Sequence, residues 1–262
     1  MTDEFDFDAE QAEFLATVYR TPSMVERRRR VRAALESREG DDVLCIGPGP
    51  GFEAARLADQ VAPGGSVHAT DVSQAMLSAT RRRCEDRSNV TLCRGAADAL
   101  PFGDDTVDAA TSVQVYEYVE DTDAALGELS RVLRPGGRAV VVATDWRSFI
   151  WRTGDPARHD RIMAAYDDHC AHPTLGSRLS PLLADAGLDV VAVEPYSILC
   201  TRMDEDTFPL YFGTLVREYV RDHDDVSRSA VDDWWADLHE READGETFFS
   251  LTQYIYTVET PS

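Results

Sequence analysis

Lysine is missing altogether. All 26 basic residues are arginine, set against 48 aspartates and glutamates, for a formal net charge of −22 at pH 7. No broad basic face can be built from that balance, so a nucleic-acid partner is not expected. Long apolar runs are missing too, and with them any expected membrane span. The first ten residues are acidic and unlike a signal peptide. Five scattered cysteines contain no CxxC pair, which excludes a disulfide framework or a zinc site and predicts reduced thiols in a cytoplasmic protein. Self-repulsion of this size adds nothing to a fold in dilute salt. In molar salt, where the screening length shrinks to about 3 Å, it is tolerated while the carboxylates keep their hydration. The acidic surplus therefore reads as halophilic adaptation.

What is present is an alternation of two periods. Residues 11–19 and 24–37 read as amphipathic helices separated by Thr21-Pro22-Ser23. The basic run Arg27 to Arg30 in the second helix is expected to form a solvated face. Short apolar runs at 42–46, 66–70, 90–93, 107–112 and 138–143 read as strands. Helices at 52–61, after the N-cap Ser73, and at 122–133 lie between them. Arg134-Pro135-Gly136-Gly137 reads as a stop before the fifth strand. Strands alternating with helices imply βαβ units and a mostly parallel sheet covered on both faces. Beyond Thr144 the rhythm changes. A helix is expected over 155–170, a short one opening at Ser180-Pro181, a strand over 188–193, an acidic helical stretch over 206–243, and a last strand over 248–258. With no repeat or linker, residues 1–262 are expected to form one domain. It would comprise a helical cover (1–40), a core (41–144), and a lid with the last strands (145–262).

The first strand runs into Gly47-Pro48-Gly49-Pro50-Gly51 and then a helix. Glycines spaced this way let the backbone turn tightly and approach a ligand with no Cβ between them. A dinucleotide fingerprint would need a further glycine where this chain has Phe52, so a pyrophosphate is poorly served and an oxidoreductase disfavoured. Asp71 ends the second strand, where a carboxylate can accept both hydroxyls of a ribose.

Together, GPGPG (47–51), HATDVSQAML (68–77), GAADALPF (95–102), VDAATSVQVYEYVED (107–121) and LSRVLRPGGRAVVV (129–142) resemble the successive motifs of class I S-adenosylmethionine-dependent methyltransferases. They are most similar to the small-molecule group that includes the quinone-biosynthesis C-methyltransferases. The resemblance implies a Rossmann-like, seven-stranded, mostly parallel α/β sheet with a reversed last strand and a helical lid insertion. It implies S-adenosylmethionine as cofactor. Gly47, Gly49 and Gly51 would pass beneath its methionine and ribose, and Asp71 would hold the ribose. Val72 and Met76 would lie against the adenine, and Asp98 with the backbone of Ala97 would read its edge. Ser112 and Gln114 would approach the methionine end, with Tyr19 and Thr21 in the cover. Cys45 departs from the family, which usually has an acidic residue there.

Methyl transfer asks mainly for positioning and dryness, and for a general base only where the acceptor must lose a proton. His169 and Glu117 are the candidates for that base. Gln114, Tyr116, Tyr118, Trp146, Trp151, Tyr166 and His172 are candidates to line an acceptor pocket above the strand ends. Their aromatic character suggests a small acceptor that is quinone-like or phenolic. His169 and His172 lack a third cluster at ligand spacing, so no metal is expected. The chain is expected to act as a monomer or homodimer. Two alternatives stay open. One is a non-catalytic cofactor-binding sensor or partner subunit. The other is a nucleic-acid methyltransferase, which would want an NPPY-like motif where this chain reads Ser112-Val113-Gln114-Val115-Tyr116.

Overall fold

The computed structural model describes residues 8–262; the acidic start, residues 1–7, lies outside the described residues. Helix α1 (Ala9–Val18) opens with a capping box: Gln11 N–H donates to Asp8 Oδ1 at 2.8 Å, and Asp8 N–H to the Gln11 side chain at 2.9 Å. Helix α2 (Pro22–Leu35) starts on proline, whose missing N–H costs nothing at the first turn. Then follow β1 (Asp42–Ile46), α3 (Phe52–Val61), β2 (Ser66–Asp71), α4 (Gln74–Arg83), β3 (Val90–Arg94), β4 (Val107–Val113), α5 (Thr122–Val132) and β5 (Leu133–Thr144). As expected, Ser73 caps α4, its hydroxyl accepting from Met76 N–H at 3.3 Å.

The parallel strands lie in the order β3-β2-β1-β4-β5. Alternate residues face opposite sides. Val43 and Cys45 join a core under α2, α3 and the C-terminal helices, whereas Leu44 and Ile46 face α5. The turn at Arg134-Pro135-Gly136-Gly137 does not end the pairing. Leu133 already pairs with Val107, and the ladder resumes at Arg138 opposite Ala109, so the turn bulges from one strand.

After β5 come β6 (Ile150–Trp151), α6 (Pro156–Tyr166), α7 (Leu175–Asp185), β7 (Asp189–Cys200), α8 (Phe208–Val220), α9 (Arg228–Ala243) and β8 (Phe249–Glu259). Strand β8 runs antiparallel to all its partners, β5, β7 and the short β6. The reversed strand is thus present, but the sheet has eight strands, not seven. The extra one is the two-residue β6, whose partners Ser250 and Phe249 pair with β7 on their other side.

Two further expectations are corrected. Helix α7 begins at Leu175, not at Pro181, which sits inside it. Leu175, Leu179 and Leu183, spaced by four and all buried, outweigh the hydrogen bond the proline forfeits. Strand β7 runs through Pro195 to Cys200, because eleven registered partners on β8 hold one edge while proline sits on the free one. No helix among the described residues is long and apolar enough to cross a membrane.

Candidate cofactor and acceptor site

The turn after β1 is built from main chain. Gly47, Gly49 and Gly51 have φ of +62°, +53° and +82°, the left-handed region that side chains resist. A Cβ on Gly51 would lie 2.7 Å from Thr80 Cα, so α4 can approach only because that position is glycine. A Cβ on Gly49 would meet nothing within 4 Å: above the middle glycine there is open space. Helix α4 clamps the turn from outside, with Thr80 Oγ1 donating to Gly49 O at 2.8 Å and Arg83 Nε to Pro50 O at 2.7 Å.

Asp71 sits beside this turn. Ser73 N–H donates to its Oδ1 at 2.9 Å, yet burial pushes the carboxyl up to about 6 despite amides of Ser73, Gly49 and Val72 that favour the anion. Val72 is 41% exposed, whereas Met76, expected beside it, is buried under α1 against Ala12 and Ala79. Ala97 is buried and Asp98 exposed on a tight turn closed by the bridge between Ala96 and Ala99. Tyr19 stacks on Phe52 with ring centroids 6.4 Å apart. The buried Thr21 hydroxyl donates to Val18 O at 2.8 Å. Cys45 is buried, and desolvation raises its thiol to about 12, so it serves the core as a neutral apolar group.

A second group gathers past the end of β4. Ser112 is buried, and Gln114 takes φ +55°, a strained conformation for a non-glycine residue. Its Nε2 donates to Thr144 Oγ1 at 3.1 Å, and its Oε1 accepts from Arg27 Nη1. Gln253 on β8 repeats the arrangement: its Nε2 donates to the same Thr144 Oγ1 at 3.1 Å, and its Oε1 accepts from Arg27 Nη1 at 3.2 Å.

Here the reading of the basic run is corrected. Arg29 and Arg30 are solvated, but Arg27 is 0% exposed and Arg28 is buried as well. The helical period explains it: Met24, Arg27, Arg28, Val31 and Leu35 share the inner face of α2. Arg28 donates to Tyr19 O at 2.8 Å and lies over the Phe52 ring, and burial lowers its guanidinium to about 10.

Glu117 is wholly buried in a single 3-10 turn. Its Oε1 accepts from Thr144 N–H at 3.1 Å, its Oε2 has no hydrogen-bond partner, and desolvation raises its carboxyl to about 7. His169 Nδ1 lies 2.6 Å from Tyr166 O, so Nδ1 carries the proton and Nε2 keeps its lone pair. That Nε2 is buried and unpartnered, and burial lowers the imidazole to about 4. The His169 ring stacks on Tyr166 at 4.0 Å and meets Trp146 edge-on at 4.8 Å and Tyr118 at 5.8 Å. These four rings therefore come together, next in sequence to Glu117.

Other candidates go elsewhere. Trp151 lies beyond Phe212, packed on Trp234 and Phe249. Tyr116 is buried on the opposite face of the sheet, under α5. His172 holds a turn, its Nε2 facing Glu120 O at 3.3 Å. Arg27, Thr144 and Gln253 were missed. Arg27 was detectable from its place among Met24 and Val31, but Gln253 depends on a strand pairing that no local pattern announces. Among the described residues, no three His, Cys, Asp or Glu side chains group as metal ligands.

This geometry has relatives. A family described as a methyltransferase domain matches residues 44–141. A demethylmenaquinone methyltransferase of Thermus thermophilus is 41% identical over 117 residues, 44% of this chain and 52% of that one. An uncharacterized 37.1 kDa protein in transposon TN4556 of Streptomyces fradiae is 36% identical over 167 residues, 62% of this chain and 47% of that one. The chain thus spans about half the length of these curated relatives. Among solved structures, a putative methyltransferase from Bacillus halodurans superposes with a TM-score of 0.66 at 15% identity, over 90% of this chain and 100% of that one, which shows a common fold. Residues 44–141 thus match a methyltransferase domain and lie within a mostly parallel, Rossmann-like sheet with one reversed strand.

Proposed function

We propose that the protein transfers a methyl group from S-adenosylmethionine to a small planar acceptor, phenolic or quinone-like, and releases S-adenosylhomocysteine. The turn 47–51 carries this reading: three left-handed glycines, with space above the middle one and the Asp71 carboxylate beside it. These residues fit the cofactor. Asp71 would accept the ribose hydroxyls, Val72 and the Ala97–Asp98 turn would face the adenine, and Ser112 with Gln114 would border the methionine arm. The bound cofactor supplies a methyl on a sulfonium already activated for in-line displacement, so the protein's task is orientation and exclusion of water. In this reading α1, α2 and the segment 145–246 act as the lid. The wall formed by Tyr118, Trp146, Tyr166 and His169 supports a flat apolar acceptor.

Of the two candidate bases, Glu117 suits the task better. A carboxyl raised to about 7 is half ionised at neutral pH and takes a proton with useful driving force. His169, lowered to about 4, is a far weaker base. Methyl transfer to a hydroxyl would form the new bond to oxygen, break the carbon–sulfur bond and leave the hydroxyl proton on Glu117 Oε2.

The test is calorimetric titration with S-adenosylhomocysteine, followed by release of that product from S-adenosylmethionine over a panel of acceptors. Binding of the product is expected, and its absence would sink the reading. Glu117→Gln should lower kcat about 100-fold with product affinity unchanged. Wild-type activity should rise with pH through about 7, where Glu117 becomes ionised.

A further inference from the structure

We infer that Arg27 is a carboxylate receptor for the methyl acceptor, which makes the acceptor a small carboxylic acid as well as a planar molecule. The inference rests on the methyltransferase reading and names the substrate class for that same site.

The argument starts from what Arg27 does with its three nitrogens. Nη1 is fully engaged, donating to the side-chain oxygens of Gln114 and Gln253. Both amides are held in that orientation by the shared acceptor Thr144 Oγ1. Nε and Nη2 are buried and have no partner. These two N–H groups point in parallel along one edge of the guanidinium, the edge that matches the two oxygens of a carboxylate. The same protein uses that edge repeatedly. Arg29 grips Glu26 with Nε and Nη2, both at 2.7 Å. Arg87 grips Asp59 at 2.8 and 3.0 Å, and Arg131 grips Glu128 with both distances 2.7 Å. In each case the carboxylate is a neighbour on the surface or nearly so. At Arg27, the most deeply buried of the four, the edge is offered and no carboxylate among the described residues takes it.

A buried guanidinium held by neutral amides is an expensive arrangement unless an anion completes it. In a chain with a net charge of −22, acidic side chains are abundant. The groups that touch Arg27 are nonetheless two glutamine amides and the Tyr19 ring, 5.4 Å from the guanidinium carbon. That environment fixes the guanidinium's orientation and leaves its charge for a ligand. Glu53 and Glu117 both exert an attractive field on Arg27 without hydrogen-bonding to it: Glu53 accepts from Arg32 Nη1 at 2.9 Å and Glu117 from Thr144 N–H, so the Nε–Nη2 edge stays open.

Position points to the acceptor as the source of the carboxylate. Arg27 bridges Gln114 at the end of β4 and Gln253 on β8, over Thr144 of β5. The ribose-binding Asp71 lies three strands away on β2, about 14 Å at the usual strand spacing. The cofactor's methionine arm would run from β2 over β1 toward Gln114 past β4, and Arg27 lies on the far side of Gln114, between it and Gln253. On the acceptor's side, a carboxylate on Arg27 would hold one end of a flat molecule whose body meets Tyr118, Trp146 and Tyr166.

The test separates these sources. Matched acid and amide pairs (benzoate with benzamide, phenylacetate with phenylacetamide) are titrated into the complex with S-adenosylhomocysteine, for wild type, Arg27→Met and Arg27→Lys. Wild type should bind at least one acid tenfold or more tightly than its amide. Both variants should lose that preference while S-adenosylhomocysteine affinity stays within threefold. Arg27→Lys keeps the charge and gives up the paired edge, and thermal melting confirms that it folds if the methionine variant does not. Equal binding of acids and amides by wild type overturns the inference. So does a tenfold or greater loss of S-adenosylhomocysteine affinity in Arg27→Lys with 5′-methylthioadenosine unaffected, since Arg27 would then hold the cofactor's own carboxylate. Failure of wild type to bind S-adenosylhomocysteine at all strikes the methyltransferase reading instead.

Discussion

The two halves of the molecule present different chemistry at the strand ends. Up to Thr144, the surface offered at the strand ends is mainly backbone, with three left-handed glycines and one carboxylate held by amides. From Asp145 to Glu246 it is almost entirely side chain, with the indoles of Trp146 and Trp151 stacked on Phe212 and the Tyr166 ring edge-on to it. Backbone geometry tolerates almost no substitution and so suits a partner that never changes. A wall of rings can be re-cut one residue at a time, which suits a partner that differs from enzyme to enzyme.

Five experiments would break or sharpen that contrast. The largest effect is expected in the ring-lined half. Trp234 is fully buried, and its Nε1 donates to His159 Nδ1 at 3.0 Å. Trp234→Ala should cost about 4 kcal/mol of stability by chemical denaturation. In the protein that remains folded, S-adenosylhomocysteine affinity should change less than threefold; a parallel loss would show that the halves do not act separately. Next, Gly51→Ala must place a Cβ 2.7 Å from Thr80 Cα at φ +82°. About 3 kcal/mol is expected from the left-handed penalty and the clash together, and a melting curve matching wild type would refute it.

Asp71→Ala should weaken S-adenosylhomocysteine binding by about 2 kcal/mol without touching acceptor selectivity. The same carboxyl gives a pH signature. Its pKa is raised to about 6 by burial, and under the proposed reading ribose hydroxyls would bind its anion. Affinity should therefore be constant above pH 7 and fall as pH drops through 6; a flat calorimetric profile would remove Asp71 from the site. The smallest effect concerns the whole surface. If the charge of −22 is an adaptation to salt, the melting temperature should rise between dilute and molar potassium chloride. No rise would return the acidity to ordinary solubility.

The contrast also governs what could be read from the chain. Strand β1 and helix α3 appear at the residues expected, because their limits are set locally by Asp42, the glycines and Ala62-Pro63. Ser73 as a helix cap and Asp71 at the end of β2 could be placed because both positions follow from distance along the chain. Pro181 misled, since a proline at a first turn and one inside a helix look alike until Leu175 and Leu179 are known to be buried. Trp151 and Tyr166 looked equivalent in sequence, yet one packs on Trp234 and Phe249 and the other stacks on His169. Arg27 was concealed by its company: two exposed arginines follow it, and only the pitch of the helix tells them apart.

Strand β8 has a consequence in time. It lies inside the sheet, between β5 and β7, but is made after both. At cellular synthesis rates, on the order of ten seconds pass between the completion of β5 and the arrival of its neighbour. Throughout that interval Val140 and Val142 border an open edge that any extended segment can occupy. Substitutions that slow the docking of β8 should therefore show first as protein lost to aggregation or proteolysis during production, while the molecules that escape keep normal activity.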